Sequence, residues 1–161
     1  MWDAPVIVPE QGIEPDWIDY NGHLNMAFYN VLFDRGVDHV YDLLGIGEAY
    51  ARSGVGSCFT LEAHINYLSE LSLEDVVSVS LQLVDYDAKR LHYFETMTNA
   101  RTGEQVATSE NLALHVDMRT RKAAPFPEAA LQKIADLHRA HARLPTPELL
   151  GHRIGIRRKD G

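Results

Sequence analysis

Seven consecutive residues, Asp19-Tyr20-Asn21-Gly22-His23-Leu24-Asn25, bring together a carboxylate, two side-chain amides and an imidazole. Side chains of these types can take a proton from water, orient it, and hydrogen-bond an oxygen that gains negative charge. The residues that follow set the context. Met26, Tyr29, Phe33, Val37, Val40, Tyr41 and Leu44 recur at three- and four-residue intervals, which predicts a long amphipathic helix with one buried stripe. Asn25 suits its N-cap and Gly45 its C-terminal stop. The cluster therefore stands at a helix mouth, where unpaired N–H groups and the positive dipole end favour a developing anion. Plainer uses exist for the same residues. Asn21-Gly22 is a turn signal, Asp19 can cap that turn, Asn25 can serve only as a helix cap, and Tyr29 lies on the apolar stripe.

The surrounding elements must position that mouth. Val6, Ile7 and Val8 suit one brief strand before Pro9, and residues 13–18 an extended piece. After the helix there is little helical signal until residue 127. Phe59, Leu61, Ala63, Ile65 and Tyr67 alternate with Thr60, Glu62, His64 and Asn66, the period of a half-buried strand. Further strands are predicted over Val77 to Leu83, Arg90 to Asn99 and Val106 to Val116, with a hairpin turn at Arg101-Thr102-Gly103-Glu104. Short connections predict that these four strands are antiparallel neighbours. Pro125 and Pro127 close the sheet, and Leu131, Ile134 and Leu137 give a second helix an apolar edge before Pro145 and Pro147. The class is α+β, an antiparallel sheet that must curl around the long helix. Residues 1–144 form one domain and 145–161 a C-terminal tail.

Composition narrows the field. The chain has 161 residues, room for one core, and 45% of them are hydrophobic. A net charge of −8 argues against a nucleic-acid or acidic-membrane binder. Arg153, Arg157, Arg158 and Lys159 nonetheless crowd the tail. No apolar run approaches the roughly 20 residues that cross a bilayer, and no secretion signal opens the chain. The single cysteine, Cys58, permits no intrachain disulfide and fits a reducing cytoplasm. No Gly-rich phosphate loop is present, the other histidines show no metal-ligand spacing, and His138 and His141, which share a helix face, read as exposed polar residues. No metal and no cofactor are expected.

With its helix mouth, long helix and four strands, the chain resembles the hotdog fold. The DWIDYNGHLN segment (16–25), with Tyr29 one turn on, is similar to the signature of hotdog acyl-CoA thioesterases related to 4-hydroxybenzoyl-CoA thioesterase. It is also similar to the Asp-x-Asn-x-His-x-Asn-Asn motif of acyl-ACP thioesterases, with Met26 in place of the last Asn. LEAHINYL (61–68) and KRLHYF (89–94) extend the resemblance, which over 16–25 and 61–68 is closest to betainyl-CoA thioesterases of carnitine breakdown. The resemblance implies a metal-free thioesterase whose only cofactor is the CoA of its substrate, assembled as a homodimer or homotetramer. It implies Asp19 as general base or nucleophile, Asn21 orienting water, His23 bonding the carboxylate or the carbonyl, and N–H groups near Asn25 and Met26 as oxyanion donors. Trp17, Tyr29, Glu62 and Glu70 join Asn25 and Met26 as substrate-binding candidates. Lys89 and Arg90 are candidate CoA cations. Were the acyl group betainyl, Trp17, Tyr20, Phe28 and Phe59 would be candidates to line its quaternary ammonium.

Two other readings compete. Hotdog hydratases carry Asp-x-Asn-Pro-x-His, whereas here His23 follows Asn21 by two residues and no Pro intervenes, which shifts the imidazole relative to the carboxylate. A non-catalytic acyl-CoA-binding module would not need Asp19, Asn21 and His23 together.

Overall fold

In a computed structural model, in which residues 2–158 are described, the chain is an α+β arrangement of one antiparallel sheet and three helices. Two short strands, β1 (Val6–Ile7) and β2 (Gln11–Gly12), precede a 3-10 turn at Pro15–Trp17. That turn stands where the sequence predicts an extended piece; Pro15 at its start favours the tight turn. The helix α1 (Met26–Leu44) has the predicted limits. The Asn25 side chain accepts from the Ala27 N–H at 3.0 Å, and Gly45 closes the helix in the left-handed region at φ 82°. The short α2 (Glu48–Arg52) has no counterpart in the sequence reading, since five residues are too few for a periodic stripe.

Four long strands follow, β3 (Gly56–Tyr67), β4 (Val76–Tyr86), β5 (Arg90–Asn99) and β6 (Gln105–Asp117), then β7 (Lys122–Ala123) and α3 (Glu128–His141). The sheet order is β1-β4-β5-β6-β3, with β2 on β4 and β7 on β6. Thus β4, β5 and β6 are neighbours as predicted, but β3 pairs with β6 and not with β4. A short connection does not oblige pairing. The eight residues 68–75 can span roughly 26 Å, and three strand spacings need only about 14 Å. The segment crosses the helix mouth on its way, with the Leu24 N–H bonded to Leu71 O at 2.8 Å and the Tyr29 hydroxyl to Ser69 O at 3.1 Å.

A bulge between Thr60 and Glu62 corrects a second expectation. On the C-terminal side of the bulge, Ala63, Ile65 and Tyr67 face α1. On its N-terminal side the inward positions become Thr60 and Cys58, so Phe59 turns outward and lies under the Arg121 guanidinium. Cys58 packs against the core, and burial pushes its thiol up to about 12.

Two apolar clusters fill the space between α1 and the sheet. One lies under the first half of α1 (Leu32, Phe33, with Leu71, Val79 and Met97), the other under its second half (Val37, Tyr41, Leu44, with Leu91, Tyr93 and Ile134 of α3). Gly36 lies at their boundary; a Cβ there would stand 3.0 Å from Val79 Cγ1 and 3.1 Å from Glu95 Oε1, so any side chain would force these neighbours or the helix to shift. His141 is buried, contrary to the sequence reading. Its Nδ1 accepts the Leu83 N–H at 2.8 Å and its Nε2 pairs with Asp3 O at 3.0 Å, so it satisfies a sheet edge that would otherwise be orphaned. No helix among the described residues is long and apolar enough to cross a membrane.

Candidate active site

The turn that carries the polar cluster is a miniature hairpin closed by an Ile18–Leu24 bridge. Gly22 at φ 81° makes its corner, and the Asp19 N–H and His23 O bond across it at 3.1 Å. This geometry aims the Asp19 carboxylate back toward the helix start. Oδ1 accepts the Asn21 backbone N–H at 2.8 Å, and Oδ2 accepts Asn25 Nδ2 at 3.2 Å. Asn25 thus does two jobs, since its Oδ1 caps α1 while its Nδ2 holds the acid. The carboxylate is half-buried and fixed by two donors.

Uncommitted N–H groups at the helix start are fewer than the sequence suggests. The Asn25 N–H is committed to Trp17 O at 2.9 Å and the Ala27 N–H to the Asn25 cap. The Met26 N–H, first of the helix, has no acceptor among the described residues, and it lies in the positive end of the α1 dipole. Tyr67 frames the same spot, its hydroxyl donating to Met26 O at 3.0 Å and its ring meeting Tyr29 edge-on at 5.2 Å. Sequence reasoning missed Tyr67 as a site residue; the signal was its place in the same LEAHINYL segment that carries the resemblance.

His23 does not bond Asp19. Its Nε2 stands 3.6 Å from Glu70 Oε2, and its Nδ1 is 3.5 Å from Leu24 O. Glu70 therefore joins the mouth, carried there by the 68–75 crossing. Tyr29 is buried beneath it, and burial pushes its hydroxyl up to about 12, so it remains a neutral donor. Asn21 contributes its backbone N–H to Asp19 while its side chain is exposed. Glu62 is elsewhere, on the outer face of β3 in a cavity of about 900 Å³ with His64, His92 and Glu110. Arg90, which lines that outer cavity too, is held by Asp87.

The aromatic candidates do not converge. Trp17 stacks on Phe28 at 5.2 Å and carries the Arg35 guanidinium 4.9 Å from its ring centre; Tyr20 is 97% exposed. With Phe59 already under Arg121, these rings offer no common cage. No cluster of three or more metal-ligating side chains exists among the described residues. In the tail, Arg153, Arg157 and Arg158 are exposed, and Lys159 lies outside the described residues.

A family model described as the thioesterase-like superfamily matches residues 13–134. A protein of Pseudomonas aeruginosa named betainyl-CoA thioesterase is 37% identical over 147 residues, 91% of this chain and 92% of that one. A protein of a Rhizobium species named L-carnitine dehydrogenase/betainyl-CoA thioesterase is 38% identical over 154 residues; the match takes 96% of this chain and spans 31% of that relative's length. A Staphylococcus aureus protein whose structure was solved in complex with CoA superposes with a TM-score of 0.88 at 35% identity, covering 98% of both chains.

Proposed function

The chain belongs to the thioesterase-like superfamily, and from that premise we propose that it hydrolyses acyl-CoA thioesters at the helix mouth built around Asp19. The observation that carries the reading is the pairing of a pinned carboxylate with a free N–H. Asp19 is held by Asn21 and Asn25 beside the uncommitted Met26 N–H at the positive end of α1. With the thioester carbonyl on the Met26 N–H, Asp19 takes a proton from water as the water oxygen adds to the carbonyl carbon. Collapse of the tetrahedral oxyanion then breaks the C–S bond and expels CoA as its thiolate. The same carboxylate can instead attack directly, giving an acyl-aspartyl anhydride that water opens. Glu70 and His23 flank the entry, and Tyr29 and Tyr67 wall it. The reaction draws on these groups and the CoA of the substrate, with neither metal nor redox cofactor.

The substrate we propose is a small acyl-CoA, betainyl-CoA first, as the names of the relatives suggest. We further take the sheet to wrap α1 as in hotdog proteins, residues 1–144 to form that domain with 145–161 as its tail, and the protein to act in the cytoplasm as a homodimer or homotetramer. The support for assembly is β3, a 12-residue edge strand with Leu61 51% and Tyr67 43% exposed, an edge that invites a second copy. The test of the chemistry is Asp19→Asn, assayed by thiol release from an acyl-CoA panel. The expected loss in kcat is about 10²–10⁴-fold. A folded variant with wild-type turnover would remove Asp19 from the mechanism.

A further inference from the structure

The helix mouth leaves one buried acid without a task. Glu95 of β5 is 1% exposed and points inward between the two apolar clusters, in the alternation that also carries Leu91, Tyr93 and Met97. Its Oε2 accepts Asn111 Nδ2 at 3.3 Å, while its Oε1 has no hydrogen-bond partner among the described residues. A carboxyl is expensive to bury with an open acceptor, and an apolar side chain here would join the clusters on either side. The acid borders a cavity of about 320 Å³ between α1 and the sheet, walled by Asn30, Asp34, Thr60 and Asn111 with Phe33 and Tyr93. Two carboxylates thus share this cavity, and no Lys, Arg or His is among its lining residues. That lining supplies no counter-charge.

We propose that this cavity is the subsite for a cationic acyl group, a quaternary or protonated ammonium, with Glu95 as its counter-ion and Asp34 at its rim; the assignment rests on the thioesterase reading above. The Phe33 and Tyr93 rings suit an alkylated ammonium, which meets aromatic carbon favourably where a hydrated ion would not. Burial first, and the Asp34 charge second, push the Glu95 carboxyl well above its ordinary range. A bound cation opposes both effects and favours the ionised acid. Position along α1 fits an acyl chain that starts at the mouth. At a rise of 1.5 Å per residue, Asn30 lies roughly 6 Å beyond Met26 and Gly36, against which Glu95 Oε1 packs, roughly 15 Å, so a short chain reaches the near wall and a longer one the acid. Arginines already occupy Trp17 and Phe59, whereas this inward-facing cavity still has negative charge to offer.

The experiment compares cationic and neutral thioesters on the full chain. Betainyl-CoA is paired with its tert-butylacetyl isostere, and a second pair is longer by about six methylenes, to carry the cation to the level of Gly36. The ratio of kcat/KM, cationic over neutral, is measured for wild type, Glu95→Gln and Asp34→Asn; a ratio within one variant cancels differences in folded fraction. Wild type should favour the cation at one chain length at least. Glu95→Gln should lower that ratio about tenfold, and the exposed Asp34→Asn by less. A wild-type ratio near one at both lengths, or a ratio that Glu95→Gln leaves unchanged, overturns the subsite while the thioesterase stands. Failure of wild type to hydrolyse any of the four overturns the thioesterase reading and the subsite with it.

Discussion

Replacing Glu95 by Gln should stabilise the ligand-free protein at neutral pH, and the gain should grow with pH. Glu95 is the acid whose folded-state carboxyl is raised by full burial and then by Asp34. For such a group the stability contribution is fully present below the unfolded value, near 4.5, and is lost as pH rises through the folded value. In that window wild type unfolds to an ionised chain while the folded protein keeps the proton, so each pH unit costs it about 1.4 kcal/mol. The Gln variant keeps the shape and an acceptor for Asn111 but has nothing to ionise. At about 2–4 °C per kcal/mol for a chain of this size, its melting temperature should pull ahead of wild type by about 3–6 °C per pH unit from about pH 5 up to the folded-state value, and level off beyond it. The assay is thermal unfolding of both proteins in matched-ionic-strength buffers from pH 4.5 to 8. The two should coincide at the acid end. A gap that stays flat across the range, or a variant that melts below wild type at pH 8, would refute the reasoning, because either requires a partner that satisfies the ionised carboxylate in the free protein.

Two further perturbations test the site and its assembly. Asn25→Ala removes both the α1 cap and the amide that holds Asp19 Oδ2; it should cost about 1 kcal/mol of stability and, separately, lower kcat about tenfold. A lowered melting temperature with unchanged kcat would leave Asn25 as a cap alone. Light scattering coupled to size exclusion should give a mass two or four times the 18.1 kDa chain, and a monomer at micromolar concentration would overturn edge-to-edge assembly through β3.

Much of the helix mouth was legible because its determinants are local. A cap, a turn glycine and a stripe at three- and four-residue spacing concern residues within one or two turns of each other, and α1 begins and ends where these signals put it. The same holds for β4, β5 and β6, joined by tight connections. The register of β3 was less legible, because one extra residue at the bulge flips every side chain before it and leaves no mark in the alternation.

The sequence alone determined that a carboxylate, an amide cap and an imidazole stand at the start of a buried helix, and that an antiparallel sheet follows. Tertiary structure decided which of them meet. Asp19 reaches Asn25, six positions on, through a local turn, but Glu70 meets His23 only because residues 68–75 cross the sheet over the helix mouth. Glu62, two positions from the inward-facing Thr60, faces the other way because of the bulge. Glu95 sits in plain view among Leu91, Tyr93 and Met97, yet its isolation depends on Gly36 and Asp34 from a helix some sixty residues earlier. Local spacing fixes what a side chain can do; the burial and the missing counter-charge that give it a reason are sums over distant elements, available only once the chain has packed.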